Sequence, residues 1–166
     1  MRRFRRTIAL VAIVVDLGVS VLSASACAAP RSCAGGIFTD TARLGSVDPG
    51  TRPPARRRRR VEIDFGRVFP PGDGPSAARS AERLTLNLFP DVCVIARRER
   101  ATEPGRGTVQ WEGRVPGASP GTATLVIDGA VMVGTVRMGQ EVYEIRYLGE
   151  GVHVVTDVDP SKLPRD

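Results

Sequence analysis

The chain contains a single histidine, His153, and any chemistry it could perform depends on the residues that accompany it. A catalytic zinc site needs about three protein ligands and a water, and many zinc proteases supply two of those ligands from a His-Glu-x-x-His motif. One histidine cannot complete that motif. Since His153 lies between Val152 and Val154 in a predicted strand, we expect an exposed or edge position for it. The sequence therefore predicts no catalytic residue, no cofactor site and no metal site, and we expect a protein that is not an enzyme.

Two carboxylates close to this histidine, Asp157 and Asp159, could share one face of a strand. Together they could bind calcium weakly, although a calcium loop supplies several more oxygen ligands at set spacings. The simpler interpretation, which we favour, is a solvated strand end followed by Pro160.

The three cysteines are Cys27, Cys33 and Cys93, and their spacing resembles no metal site. In an oxidising compartment Cys33 and Cys93 could form a disulfide. Alternatively, Cys93 is a small core residue within a strand, because valines flank it on both sides. We favour the second interpretation.

The N-terminal segment, residues 1–28, has the layout of a signal peptide. A basic start, "MRRFRR", precedes a mostly apolar run that ends in small residues. Cleavage after Ala26 or Ala28 fits the small-x-small rule. An uncleaved anchor helix and a lipoprotein acylated on Cys27 are the alternatives. All three interpretations predict export, so we expect a secreted or cell-envelope protein that contacts a membrane only through this segment.

Residues 29–60 are rich in Ala, Gly, Pro, Ser and Arg and predict a disordered linker. The run Arg56–Arg60 is expected to be mobile and to have no part in the fold. From Val61 onward the chain has 12 basic and 15 acidic residues, a net charge of −3, although the whole chain carries +6. A nucleic-acid-binding domain carries its positive charge on its folded surface, so no specific nucleic-acid binding is expected.

Residues 61–158 alternate apolar and polar side chains in about eight short runs, which predicts strands. Short turns join the later runs, including a hairpin signal at Asp128-Gly129, and short turns require antiparallel neighbours. The prediction is an all-β domain, an antiparallel meander that forms a small sandwich or partly open barrel, followed by an exit linker at 159–166. The expected core residues are Leu84, Leu86, Leu88, Val109, Trp111, Leu125, Ile127, Val136, Tyr143 and Ile145.

Several segments of this domain, in order "LTLNLFPDV", "WEGRVPG", "ATLVIDGAVMVGTVR" and "VYEIRYLGEGVHVVTDVDPSKLP", resemble the pro-region of bacterial secreted reprolysin-like zinc metalloproteases. The residues that match the family pattern are Trp111, Tyr143, Ile145, Arg146, Leu148, Gly149, Gly151, His153, Asp159, Pro160 and Pro164. The resemblance implies a β-rich exported module that chaperones or inhibits a catalytic domain, which this chain lacks. In animal relatives a pro-region cysteine caps the catalytic zinc, but the setting of Cys93 does not reproduce that motif.

Two functions of different classes follow from these observations. The first is a pro-domain-like module, or a truncated remnant of one, whose partner is a reprolysin-like catalytic domain. The second is an independent cell-envelope β module that binds a partner or surface through its sheet edge or its arginine-rich tail. An enzyme of unknown type is a weaker third option.

Overall fold

The structure, a computed structural model, describes residues 33–46, 54–71, 76–105, 107–117 and 120–162. Within them the chain forms nine strands and one short helix, α1 (Phe65–Val68), which confirms the predicted all-β class. A 3-10 turn at Pro160–Lys162 follows the last strand. The strands are β1 (Phe38–Asp40), β2 (Ala55–Ile63), β3 (Arg83–Phe89), β4 (Val92–Gly105), β5 (Thr108–Val115), β6 (Gly121–Asp128), β7 (Val131–Met138), β8 (Glu141–Gly149) and β9 (Val152–Val158).

The strands form one antiparallel sheet in the order β1-β2-β9-β8-β7-β6-β5-β4-β3. Strands β3 to β9 follow one another as a meander, and β2 returns to pair with the last strand. The two outer strands then meet, since the Ile37 N–H donates to the Thr85 carbonyl at 3.0 Å. The sheet is therefore a nearly closed barrel, which confirms the predicted antiparallel meander and partly open barrel.

Two-residue turns set the register of the consecutive hairpins. Gly129 and Gly139 hold the first central position of the β6–β7 and β7–β8 turns, each with a φ of 57°. Glycine adopts this left-handed conformation without the steric cost that a Cβ imposes. The predicted Asp128-Gly129 turn is one residue out of place, because Asp128 still pairs with Val131 and the turn is Gly129 and Ala130.

The barrel interior is filled by the predicted core residues, all of which are buried. Trp111 is the largest of them, and its indole Nε1–H donates to the Ala81 carbonyl at 2.9 Å. Its ring lies over Gly113, where a Cβ would come within 2.3 Å of the indole. The glycine two residues along the same strand therefore makes room for the tryptophan.

The predicted linker 29–60 is wrong for the region of β1, where Ile37 and Phe38 are buried, and for residues 55–60, which enter strand β2. This strand pairs with β9 from Ala55 to Glu62 and with β1 at its far end. Arg57 and Arg59 continue the inward face of Val61, while Arg56, Arg58 and Arg60 are exposed. The sequence predicts a linker here because the inward positions of this strand carry arginine and not apolar side chains. Residues 29–32 and 47–53 lie outside the described part of the chain.

Two further element boundaries differ from the prediction. The alternation that begins at Val61 predicts a strand over 61–69, but β2 stops at Ile63 and Phe65–Val68 forms α1. The proline and glycines of 101–107 predict a loop, but β4 continues to Gly105. A register shift between Thr102 and Gly105 accommodates Pro104, as expected for a proline within a sheet.

Within the described ranges no helix is long and apolar enough to cross a lipid bilayer. The signal-peptide, anchor and lipoprotein interpretations, with Ala26, Cys27 and Ala28, concern residues outside those ranges and stay predictions. The same holds for Pro164 at the end of the predicted exit linker.

Candidate functional site at the barrel seam

The feature with the densest set of polar contacts is the seam, which we define as the junction between β1 and β3. There the Asn87 side chain replaces a backbone ladder: its Nδ2 donates to the Phe38 carbonyl at 2.7 Å, and its Oδ1 accepts from the Phe38 N–H at 2.9 Å. Gly36 permits this approach, since a Cβ there would lie 2.2 Å from Asn87 Cγ. One side-chain amide thus closes the barrel where the backbones do not pair.

A disulfide between Cys33 and Cys93 spans the same junction, with Cα atoms 5.8 Å apart. It joins the segment before β1 to β4. The favoured interpretation of Cys93 as an unpaired core cysteine is therefore wrong, and the disulfide alternative is the one observed. The flanking valines could not reveal this, because closure of the barrel brings Cys33 to β4 from 60 residues away.

Arg57 bridges the seam from the inward face of β2. Its Nη1 donates to Asp91 Oδ1 at 2.7 Å and Oδ2 at 2.9 Å, and its Nε donates to Asp157 Oδ2 at 3.2 Å. The guanidinium also lies 4.1 Å from the centre of the Phe89 ring. The hydrogen bond with Asp91 is the main cause that raises the pKa of Arg57 and lowers the pKa of Asp91. This one cation ties β2, β9 and the β3–β4 turn together.

Arg59, two residues further along β2, serves the exposed edge of β3. Its guanidinium donates to the carbonyls of Asn87 and Leu88 and to Asp40 Oδ1, and its side chain is only 13% exposed. Unpaired strand edges are the usual place for a further strand to add. Here the Asn87 and Leu88 carbonyls already accept from Arg59, so docking of another strand at this end of β3 would require these contacts to break.

We expect Arg59→Ser to lower the free energy of unfolding by about 1.5–3 kcal/mol, because it removes charged hydrogen bonds to carbonyls at a mostly buried position. Arg60→Ser is the matched control on the same strand, and an exposed side chain is expected to change stability by less than about 0.5 kcal/mol. Urea unfolding of both variants measures the difference. Equal values for the two would contradict the division of the arginines between inward and outward faces.

The carboxylates Asp157 and Asp159 have different partners, and the favoured interpretation of a solvated strand end is wrong for Asp157, which is buried. Asp157 is buried beside Arg57, with Arg56 at 3.7 Å, whereas Asp159 accepts hydrogen bonds from the Ser161 N–H and hydroxyl. The hydroxyl of Ser161 is the main cause that lowers the pKa of Asp159. Strand β9 ends at Val158, and this break in the alternation separates the two.

Tyr143 occupies the core next to this ion pair. Its hydroxyl donates to Glu141 Oε2 at 3.1 Å, and burial, aided by that carboxylate, raises the pKa of Tyr143 to about 12. The phenol therefore stays protonated at physiological pH and acts as a hydrogen-bond donor.

His153 is completely buried, so the expectation of an exposed or edge position is wrong. Its Nε2 accepts from the Met132 N–H and its Nδ1 faces the Gly151 carbonyl, both at 3.1 Å. Strand β7 pairs with β8 only from Gly134 to Met138, so the N–H of Met132 has no acceptor on β8. The imidazole of His153 supplies that acceptor. These contacts require the neutral ring with the proton on Nδ1, and burial is the main cause that lowers the pKa of His153.

This arrangement predicts a pH dependence of stability. The unfolded histidine titrates near 6.5 and the folded one lower, so the unfolded chain binds more protons between these two values. The contribution of neutral His153 to the free energy of unfolding is fully present above about pH 6.5. As the pH falls below that value toward the pKa of the folded state, the free energy of unfolding decreases by at most about 1.4 kcal/mol per pH unit. Unfolding free energies measured between about pH 5 and 7.5 test this.

His153→Gln is the control, because glutamine keeps an acceptor and a donor but does not titrate. Since His153 is the only histidine, this variant should show a nearly flat profile over the same range. An unchanged slope in the variant would assign the pH dependence to other groups.

The family-pattern residues are divided between the two faces of the sheet. Trp111, Tyr143, Ile145 and His153 lie inside, whereas Arg146 pairs with Glu144 at 2.7 Å on the outer face. Gly149 and Gly151 have φ values of 91° and 78° around the β8–β9 turn, and Asp159 and Pro160 begin the 3-10 turn. These positions therefore shape the barrel and do not converge on one surface site.

The segment 117–121, Gly-Ala-Ser-Pro-Gly, fits the spacing of a serine nucleophile turn. That turn requires a strand followed by a helix, and here the segment joins the antiparallel strands β5 and β6. Ser119 itself lies outside the described residues, and both ring nitrogens of His153 already have backbone partners.

Sequence reasoning missed the residues that make the seam: Arg57, Arg59, Asn87 and Asp91. The sequence does contain a signal for the two arginines: when the alternation of Val61 and Ile63 is extended backward, Arg57 and Arg59 fall on the inward face.

Within the described part of the chain no group of three or more His, Cys, Asp or Glu side chains could hold a metal ion. Comparison with known proteins gives no match to a family model, a curated protein or a solved structure.

Proposed function

We propose that this chain is an exported binding module that docks on a reprolysin-like zinc metalloprotease catalytic domain and slows it. The resemblance of its sequence to the pro-region of such proteases supports the partner. The disulfide supports export, because structural disulfides persist in oxidising compartments and are rare in the cytosol of mesophiles.

The observation that carries the proposal is the closure of the barrel within the chain itself. Arg57 joins β2 and β9 to the β3–β4 turn, Asn87 joins β3 to β1, and the disulfide joins the segment before β1 to β4. One core cluster fills the interior. A module with its own core and closed edges can fold without a covalently attached catalytic domain. It can therefore act on a separate enzyme molecule.

Peptide hydrolysis by a separately supplied reprolysin-like catalytic domain tests this proposal. Added stoichiometrically in its oxidised form, the exported chain should slow cleavage and co-elute with the enzyme in size-exclusion chromatography. A zinc protease of an unrelated family is the control and should be unaffected. Zinc-dependent cleavage by the chain alone would overturn its assignment as a non-enzyme, and failure to bind the reprolysin-like domain would overturn the proposed partner.

The second candidate function is an independent cell-envelope module that binds a surface. It is favoured by arginines on the outer face, such as Arg60 and Arg137, that make no ion pair among the described residues. The arginine-rich segment would then contact the surface from strand β2, and not from a disordered tail.

A further inference from the structure

Three arginines lie directly opposite one another on the outer face of adjacent strands. Arg83 on β3 pairs in register with Arg97 on β4, and Arg97 pairs with Arg114 on β5. Like charges in directly opposed positions destabilise a sheet. All three side chains are exposed, and in the described part of the chain only Arg114 has a close carboxylate, Glu99, at 2.6 Å.

Two of these arginines, Arg83 and Arg97, border a shallow surface depression of about 460 Å³, which is lined by Glu82, Arg83, Arg97, Arg98 and Glu99. Its volume falls within the usual range for small-ligand sites, about 300–1,000 Å³. The lining includes no aromatic side chain, which disfavours stacking of a nucleobase and leaves charge and hydrogen bonding as the means of recognition.

Arg98 contributes a positive charge that is held in place without being neutralised. Its Nη1 donates to the Ser80 carbonyl, to Ser80 Oγ at 2.9 Å and to the Ala77 carbonyl at 3.3 Å. All three acceptors are uncharged, and Ser80 is buried. Fixing the side chain in advance lowers the entropy that binding an anion would otherwise lose.

The two glutamates of the lining repel a bound anion less than the nearby arginines attract it. Glu99 is occupied by Arg114, which leaves the carboxylate of Glu82. Arg83, Arg97, Arg98 and Arg114 against Glu82 and Glu99 leave a local excess of two positive charges. This excess contrasts with the net −3 of the chain from Val61 onward, so it is a local property of these strands.

We propose that this depression binds a phosphate group that carries two or more negative charges, with Arg83 and Arg97 as its ligands and Arg98 as a fixed positive charge at its border. Guanidinium groups present paired N–H donors that match phosphate oxygens, and a tetrahedral phosphate can accept from forks on more than one strand. The bound anion would relieve the repulsion between the opposed arginines. The phosphate belongs either to a soluble phosphate ester or to a lipid headgroup.

The exported full-length gene product, purified in oxidised form, is the sample for the test. Pyrophosphate in calorimetric titration probes the soluble source. Sedimentation with vesicles that contain phosphatidic acid, whose headgroup is a phosphate monoester, compared with vesicles of phosphatidylcholine alone, probes the lipid source. Binding to pyrophosphate alone identifies a soluble phosphate, and binding to both, or to anionic vesicles alone, identifies a headgroup. If the chain binds neither pyrophosphate nor the anionic vesicles, the proposal is wrong.

Two double variants separate a site from general attraction. R83Q/R97Q should weaken binding by at least about tenfold, the loss expected for charged hydrogen bonds. R43Q/R67Q removes the same charge from exposed positions outside the depression and should change affinity by less than about twofold. Equal losses in the two variants would show non-specific attraction and contradict the site.

Stability distinguishes a ligand role from a structural one. Because opposed like charges are removed, R83Q/R97Q should melt at or above the temperature of the parent chain. Arg97→Lys provides a second variant that keeps the charge but loses the paired donors, and it should also bind more weakly. Parental affinity in R97K would contradict recognition through the guanidinium fork.

Discussion

Replacing Trp111 by alanine is expected to lower the free energy of unfolding by about 3–5 kcal/mol, the range for large aromatic truncations in cores. Trp111 is fully buried, it lies over Gly113 on its own strand, and it pairs in register with Leu125 on β6. Alanine would leave a cavity in the barrel and would also leave the Ala81 carbonyl without its indole donor. Since small domains are stable by only about 5–15 kcal/mol, the variant is expected to be close to unfolding at 37 °C.

Urea unfolding of the purified chain measures this effect, and two controls sharpen it. Trp111→Phe keeps much of the apolar volume but loses the hydrogen bond, so it should fall between the parent and the alanine variant. Val133→Ala on the outer face of β7, where the side chain is 41% exposed, should change stability by less than about 1 kcal/mol. A stable Trp111→Ala variant would mean that the indole does not fill the interior.

Removing the disulfide is expected to have a comparable effect. In the chain-entropy description a cross-link over about 60 residues destabilises the unfolded state by about 4 kcal/mol at 25 °C, and the pair Cys33–Cys93 has a sequence separation of 60. The variant Cys33→Ser with Cys93→Ser should therefore lose most of this amount. The segment around β1 should be affected first, because only three residues of β1 pair with β2.

Reduction of the parent chain with dithiothreitol provides an independent measurement of the same difference. The reduced parent and the double serine variant should unfold at similar urea concentrations, and dithiothreitol should not change the variant further. If reduction leaves the parent unchanged while the serine variant is destabilised, then packing of the two side chains, and not the covalent bond, carries the effect.

Much of the fold follows from the alternation of apolar and polar residues along the chain. From Arg83 to Gly149 the period of two indicated most of the strands and the residues that face inward, and the predicted core residues are all buried. It failed at the end of β4 and in β9, where all seven residues are buried. Short glycine turns indicated the antiparallel meander. These features are local, because a strand exposes alternate side chains to opposite faces and a two-residue turn permits only an antiparallel return.

The seam and its polar residues, by contrast, depended on contacts between distant parts of the chain. Arg57 reaches Asp157 across 100 residues, and Asn87 reaches Phe38 across 49. An arginine run without partners has the composition of a solvated linker, and it becomes the inward face of a strand only where β9 and the β3–β4 turn supply carboxylates. The same dependence explains Cys93, whose partner arrives with barrel closure, and His153, whose burial follows from the end of the β7–β8 pairing. Local pattern determined most of the strands and their faces, whereas the tertiary structure decided which charged and polar groups are paired at the seam. The physical reason is that a group removed from water is stable only beside a partner that the fold brings to it.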